Sequence, residues 1–414
     1  MKKILISVAW ACVALGSQAQ TRVLNLQQCL DMALGQNYEV QAALKSVDRA
    51  KALQGTAWDI EKTELSLSQD PSSGGSTDNA ISIAQSIEFP TVYVARHKQL
   101  KAETQMERSK AELVKVELAS NVRSAYHQLV YEKECLRVLH KQDSILSRYR
   151  TVAETRYKAG ETRQLELLSA ERMYRENKLE LASAMSDIEN AQLQLSTLLN
   201  SDIPVTPADN KLTPIDFMQN GFNYSQTPEG QLSQDKITLA DKAVAAAKSE
   251  YAPSLSIALR NQLVISSWNP YKVDRSRFDG GNFMGFEVGV GIPLFYGATK
   301  AKVRAAKKDR ELAELEMKQE QQNLQKEYLA TLSKCNAYYA RLSYYQEEGV
   351  EKDKQLEKLS YMEYDNGEIS YTEYMDALKD CIDFHMKKAA AINDYNQSVI
   401  TLEKLMGKTS TGMK

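Results

Sequence analysis

Glycine and proline are scarce in this chain, 18 and 9 of 414 residues. Both interrupt helices, so their scarcity argues against many short elements and for long unbroken helices. Cysteine is rarer still. Cys12 lies in the N-terminal segment, and Cys29, Cys135, Cys335 and Cys381 are far apart with no CxxC spacing. That pattern offers no metal ribbon and no dithiol motif, and it reads as small apolar seam residues rather than a disulfide framework. The four histidines, His97, His127, His140 and His385, show no metal-ligand spacing. No GxSxG, P-loop or dinucleotide fingerprint occurs, so no catalytic residue, metal or cofactor is expected. A net charge of only −2 gives no reason to expect nucleic acid. Past the N-terminus there is no long hydrophobic run, so membrane insertion would have to be as a β-barrel.

What is present begins with a leader. Met1-Lys2-Lys3 is a basic n-region, Ile4 to Leu15 an apolar h-region, and Ser17-Gln18-Ala19 a small-x-small cleavage site. Residues 1–19 therefore read as a signal peptide with a mature start at Gln20.

The remaining chain is duplicated. Tyr157, Gly160, Glu161, Glu166 and Ala170 recur 207 residues later as Tyr364, Gly367, Glu368, Glu373 and Ala377. Each glycine sits between two helical patterns, where a left-handed residue ends one helix, and Thr162 or Ser370 can cap the next. The first repeat, 20–201, predicts a helix from Leu24 to about Ala57, a β-hairpin at about 62–90, a helix from about Val92 to Tyr157, a tip at 160, and a return helix from about Arg163 to Leu199. Residues 202–231 hold Pro204, Pro207, Pro214 and Pro228 and form the connection between halves, with room for a short strand or helix. The second repeat, 232–407, has a hairpin at about 253–293, a helix from about Thr299 to Asp365, a tip at 367, and a last helix from about Ser370 to Met406. In that helix Tyr371, Leu378, His385, Ile392, Val399 and Met406 are spaced by seven, as in a coiled coil. A polar tail, 408–414, follows.

The fold class is thus mainly α with a transmembrane β-barrel part, built from a repeated helix, β-hairpin, long helix and return helix. Four strands per chain cannot close a barrel, so several copies must contribute to one. Trp58, Phe89, Tyr251, Phe295 and Tyr296 lie at strand ends, where an aromatic girdle or ordinary core packing would place them. At about 1.5 Å per residue the long helices put the tips roughly 100 Å from the hairpins.

The signal peptide, the duplication, Tyr-Ala-Pro-Ser-Leu-Ser at 251–256, Gly-Ile-Pro-Leu-Phe-Tyr-Gly at 291–297 and the two Tyr-x-x-Gly tips resemble the TolC family of outer-membrane efflux proteins over roughly residues 24–407. The resemblance implies a homotrimer with a twelve-stranded barrel in outer-membrane lipid and an α-helical periplasmic tunnel. It implies a passive conduit of a tripartite efflux or type I secretion-like system, docked by a periplasmic adaptor (membrane fusion) protein and an inner-membrane transporter of RND or ABC type. It further implies a periplasmic gate after the second tip glycine, at Glu373 and Asp376 with Tyr364, and Glu166 as the first-repeat counterpart. The adaptor-docking candidates are Tyr157, Gly160, Tyr364 and Gly367. Where some members have a tip arginine, this chain has Ile369, so their latch does not carry over. Glu373 and Asp376 share a helix face, where three copies would form a carboxylate ring; a solvated charged face is the alternative. At the level of the whole chain the alternative is a secreted coiled-coil structural or adhesive protein.

Overall fold

The computed structural model describes residues 21–70, 78–217, 221–264 and 282–408. The expected signal peptide with Cys12 and the start at Gln20, residues 71–77, 218–220 and 265–281, and the tail beyond 408 lie outside the described residues. The described chain is mainly helical. Its elements are β1 (Arg22–Leu24), α1 (Leu26–Gln36), α2 (Tyr38–Leu53), β2 (Glu64–Asp70), β3 (Asp78–Glu88), α3 (Pro90–Lys158), α4 (Gln164–Leu198), β4 (Val205–Pro207), α5 (Pro228–Ser249), β5 (Ser254–Val264), β6 (Asn282–Gly291), α6 (Gly297–Gln346), α7 (Glu348–Asp365) and α8 (Tyr371–Leu405). They group into two compact units, each drawing on both sequence repeats.

One unit comprises Ala43–Glu112 and Pro228–Gln321. Its centre is an antiparallel sheet in the order β2-β3-β5-β6, so the hairpin of one repeat joins that of the other through β3 and β5. The register gathers most of the large apolar side chains on one face, where Gln85 and Asn261 also fall. Leu65, Leu67, Ile81, Ile83, Ile257, Leu259, Phe286 and Val288 share one face. Ser66, Ser82, Ala84, Ser256, Ala258 and Gly289 share the other, together with Arg260 and Glu287. The apolar face is solvent-exposed, reaching 79% at Phe286 and 76% at Leu67. Among the described residues β2 and β6 are paired on one side only. No described helix is long and apolar enough to cross a membrane.

The described residues of the other unit, which fall within Met1–Ala42, Leu113–Thr227 and Gln322–Lys414, form a helical bundle. Its largest core packs Leu30, Val122, Tyr126, Leu129, Leu195 and Val205. A buried Arg123–Glu403 ion pair at 2.5 Å joins α3 to α8, and the Tyr126 hydroxyl donates to Asp209 at 2.9 Å. In α8 the heptad residues Tyr371, Leu378, Ile392 and Val399 are buried, while His385 and Met406 are half-buried. Cys29, Cys135, Cys335 and Cys381 are free and buried.

Two helices expected to be continuous are not. The helix expected over 24–57 ends at Asn37, which turns to φ −66°, ψ 133°. The Asn37 amide donates to the Leu198 carbonyl at 3.0 Å and its oxygen accepts from Glu39 N–H at 2.8 Å. Leu24 belongs instead to β1, which pairs in parallel with β4 of the connection. The helix expected over 299–365 breaks at Glu347, at φ −100°, ψ −88°. No proline marks the break. Beside it Gly349 lies so close to α8 that an added Cβ would sit 2.7 Å from the Phe384 ring and 2.9 Å from the Tyr344 carbonyl.

Candidate functional site

The two tips have nearly the same backbone. Gly160 and Gly367 stand at φ 75° and 73°, a region costly for any side chain with a Cβ. Gly160 N–H donates to the Tyr157 carbonyl at 3.0 Å and Glu161 N–H to the Arg156 carbonyl at 2.9 Å. The second tip repeats this, with Gly367 N–H on Tyr364 at 3.0 Å and Glu368 N–H on Glu363 at 2.8 Å. These bonds satisfy carbonyls that the ending helix leaves open.

The side chains differ. Ser370 caps α8 in a reciprocal box: Glu373 N–H donates to Ser370 Oγ at 3.2 Å, and Ser370 N–H donates to the Glu373 carboxylate at 2.7 Å. That backbone N–H holds the Glu373 carboxyl below its usual range. The first tip has no such cap. Arg163 occupies the N-cap position and its side chain makes no capping bond. The expected cap by Thr162 is not formed, because Thr162 precedes the cap position and its hydroxyl donates to the Glu166 carboxylate instead. Glu166 also pairs with Arg156 at 3.4 Å, and Arg156 reaches Glu161 at 3.9 Å.

An aromatic cluster occupies the second tip. Tyr364 stacks on Tyr374 with centroids 4.9 Å apart and planes at 10°, and it meets Tyr371 at 5.2 Å. Tyr371 in turn meets Tyr149 of α3 at 5.0 Å. Burial pushes the Tyr371 hydroxyl up to about 12. Leu146, Tyr149, Ala153, Ala170, Tyr371, Met375 and Leu378 form one buried cluster, so α3, α4 and α8 share a core near the tips. The Tyr149 hydroxyl is raised by burial first, then by the carboxylates of Glu166 and Asp376. Carboxylates from both tips therefore bear on one phenol. Tyr157 is exposed, unlike its repeat partner Tyr364.

Asp376 also lines a cavity of about 260 Å³ with Arg172, Glu176, Asn177 and Lys379. Asn177, 1% exposed, donates to Asp143 at 3.2 Å. Of the residues singled out from sequence, Tyr364 packs against the cluster that holds Tyr149, Glu166 and Asp376 both raise the Tyr149 hydroxyl, and Glu373 turns to its own cap. Sequence reasoning missed Tyr149, Tyr374, Arg156 and Asn177. Arg156 had a readable signal, since a basic residue in the last helical turn lies across the tip from Glu166. The grouping offers aromatic faces and carboxylates but no activated nucleophile; burial raises the Cys29 thiol to about 11 and the Cys381 thiol to about 12.

The model of the outer membrane efflux protein family matches residues 29–201 and 232–408. Among solved structures, the outer membrane channel CmeC of Campylobacter jejuni aligns with a TM-score of 0.73 and 17% identity, over 92% of this chain and 85% of that one. CusC, described in structures of folding and transmembrane channel formation, aligns at 0.75 and 17% identity over 96% of each chain. The open-state outer membrane channel MtrE of Neisseria gonorrhoeae aligns at 0.71 and 16% identity, over 92% and 89%. At these identities the likeness is one of fold. No curated protein sequence matches.

Proposed function

We propose a conduit role from one premise: the chain belongs to the outer membrane efflux protein family, a family of channels and not of enzymes. It acts as the outer-membrane component of a tripartite efflux or type I secretion-like system, a passive path from periplasm to exterior. The observation that carries this reading is the sheet. One face is apolar and exposed, the other is lined by serine, alanine and glycine, and its edge strands β2 and β6 are open. An apolar face of this kind suits lipid, and open edges in lipid leave backbone groups unsatisfied unless the sheet closes. Three copies, β6 of each beside β2 of the next, give a twelve-stranded barrel with lipid outside and the small polar face inside.

In this homotrimer the repeats 20–201 and 232–407 each supply one hairpin and two tunnel helices, and 202–231 is an equatorial connection. The tips form the periplasmic mouth. Tyr157, Gly160, Tyr364 and Gly367 meet the adaptor, and an inner-membrane RND or ABC transporter supplies the energy. Glu373 and Asp376 gate the mouth with Tyr364 and Glu166; the shared face of Glu373 and Asp376 near the start of α8 supports this reading.

Outer-membrane fractionation with a heat-labile trimer band on gels tests the assembly. A soluble monomer would leave the coiled-coil structural reading instead. For the gate, Glu373→Ala with Asp376→Ala raises conductance in planar bilayers and relieves block by divalent cations. Unchanged conductance and block would remove the gate assignment.

A further inference from the structure

A groove of about 520 Å³ lies in the unit that carries the sheet, walled by α2, α3 and α5. Five cationic side chains line it: Lys51 from α2, Lys98, Lys101 and Arg108 from α3, and Lys242 from α5. No carboxylate lines it. None of these five has an ion-pair partner among the described residues. Two acids of α5 are committed to other groups, Asp235 in part to the lining Gln105. Asp241 holds Arg310 at 2.7 Å, and Asp235 accepts from Ser109 at 2.6 Å. The two lining hydroxyls are also committed, Thr104 to the Leu100 carbonyl at 2.9 Å and Thr238 to the Gln234 carbonyl at 3.0 Å. The free donors of the groove are therefore ammonium and guanidinium groups.

We propose that this groove binds a multivalent phosphate group. Like charges gathered on three helices repel, and an anion bearing more than one charge relieves several repulsions at once. Lysine serves as a point charge and Arg108 as a planar fork for phosphate oxygens. The phosphate has two possible sources, a lipid headgroup or a soluble anion. Helix α3 begins two residues after β3 ends. At about 1.5 Å per residue Lys98 lies roughly 12 Å along it, where a long side chain can reach back toward headgroups if the sheet lies in lipid, whereas Arg108, roughly 27 Å along, lies beyond the headgroup layer. The lipid source alone rests on the membrane reading above; phosphate binding stands without it.

The test uses the full chain in lipid nanodiscs, with inorganic pyrophosphate as the soluble probe and phosphatidylglycerol against phosphatidylcholine as the lipid probes. Wild type binds pyrophosphate saturably by calorimetry, less tightly as salt rises. The variant carrying Lys98→Gln and Lys101→Gln, both exposed, binds at least tenfold more weakly, whereas Lys387→Gln on α8 binds as wild type. By native mass spectrometry, preferential retention of phosphatidylglycerol that the double variant loses identifies the lipid as occupant. Pyrophosphate binding without that preference identifies a soluble anion. Wild type that neither binds pyrophosphate saturably nor enriches phosphatidylglycerol overturns the proposal, as does a double variant equal to wild type with both probes.

Discussion

The hairpin α3–α4 and the hairpin α7–α8 turn through the same backbone corner and are held by different side chains. At the first, Arg156 clamps Glu166 and Glu161 across the tip, and the return helix starts without a side-chain cap. At the second, Ser370 and Glu373 cap each other and three tyrosines pack over the corner. The incoming helices differ too. α3 runs unbroken through 69 residues, whereas its counterpart breaks at Glu347 beside the tight Gly349–Phe384 contact. The first hairpin is closed by charges that salt can screen, the second by local hydrogen bonds and ring packing. A glycine corner thus fixes where the chain turns, while its neighbours decide how firmly.

The helix break gives the largest contrast. Gly349→Leu forces a side chain into the Phe384 ring and should cost the second hairpin about 3 kcal/mol by overpacking. Gln142→Leu, at the matching place in the first repeat, should stay within about 0.5 kcal/mol. Hydrogen exchange resolved along α7 and α8 against α3 and α4 measures both; equal effects would mean that the break has no packing role.

The tip glycines should instead behave alike. Gly160→Ala and Gly367→Ala each place a Cβ at positive φ, costing roughly 1–2 kcal/mol of local stability. Unequal losses would show that the two corners are not equivalent at the backbone.

The caps separate them again. Ser370→Ala should lower protection of the first turn of α8 by about 1 kcal/mol, Arg163→Ala should leave α4 nearly unchanged, and Arg163→Ser should stabilise it. The Glu373 part of the box has a sign in pH. Its folded carboxyl is depressed, so the contribution is complete above the ordinary value of 4.5 and is lost as pH falls through the lowered value. Protection that ignores Ser370→Ala would dismiss the box as a stabilising feature.

The smallest effect lies one helix layer in. Lys178 pairs with Asp143 at 2.9 Å, and its repeat counterpart His385 meets buried Asp353 at 3.4 Å. Burial, aided by Lys141 and Lys388 against Asp353 and Glu357, pushes the His385 imidazole below its ordinary 6.5. A depressed folded value means that stability is complete above 6.5 and drains as pH falls toward the lowered value. Asp143 holds the Lys178 ammonium above its ordinary 10.5, so that pair does not change over the same range. Between pH 7.5 and 5.5 the α7–α8 segment around His385 should loosen slightly and the α3–α4 segment around Lys178 should not, whereas farther along α3 burial holds His127 down at about 4 and adds a loosening of its own; His385→Gln should abolish the loosening around His385 alone.

Several features are legible in the order of residues alone. Alternation at 64–69 and 286–292 announces strands, the glycine pair announces tips, and the repeat announces two of everything. The break at Asn37 is not legible there, because its signal is a carbonyl 161 residues away at Leu198. Nor is the break at Glu347, since a glycine two residues on is unremarkable until Phe384 is placed against it. Of the candidate site, Glu166, Tyr364 and Asp376 can be named from the repeat. Tyr149, which brings their neighbourhoods together, lies on another helix with nothing in its own segment to mark it.

By itself the sequence determined the periodic, local properties: the course of most helices and strands, where the corners fall, and that the strands carry their large apolar residues mainly on one face. These depend on neighbours a few residues apart and survive in any context. The tertiary structure alone decided the pairing of β3 with β5, the tyrosine packing between α3 and α8, and the gathering of five cations from three helices. Those outcomes depend on contacts across roughly 50 to 220 residues of chain, where packing and charge are settled by which surfaces meet rather than by any local pattern.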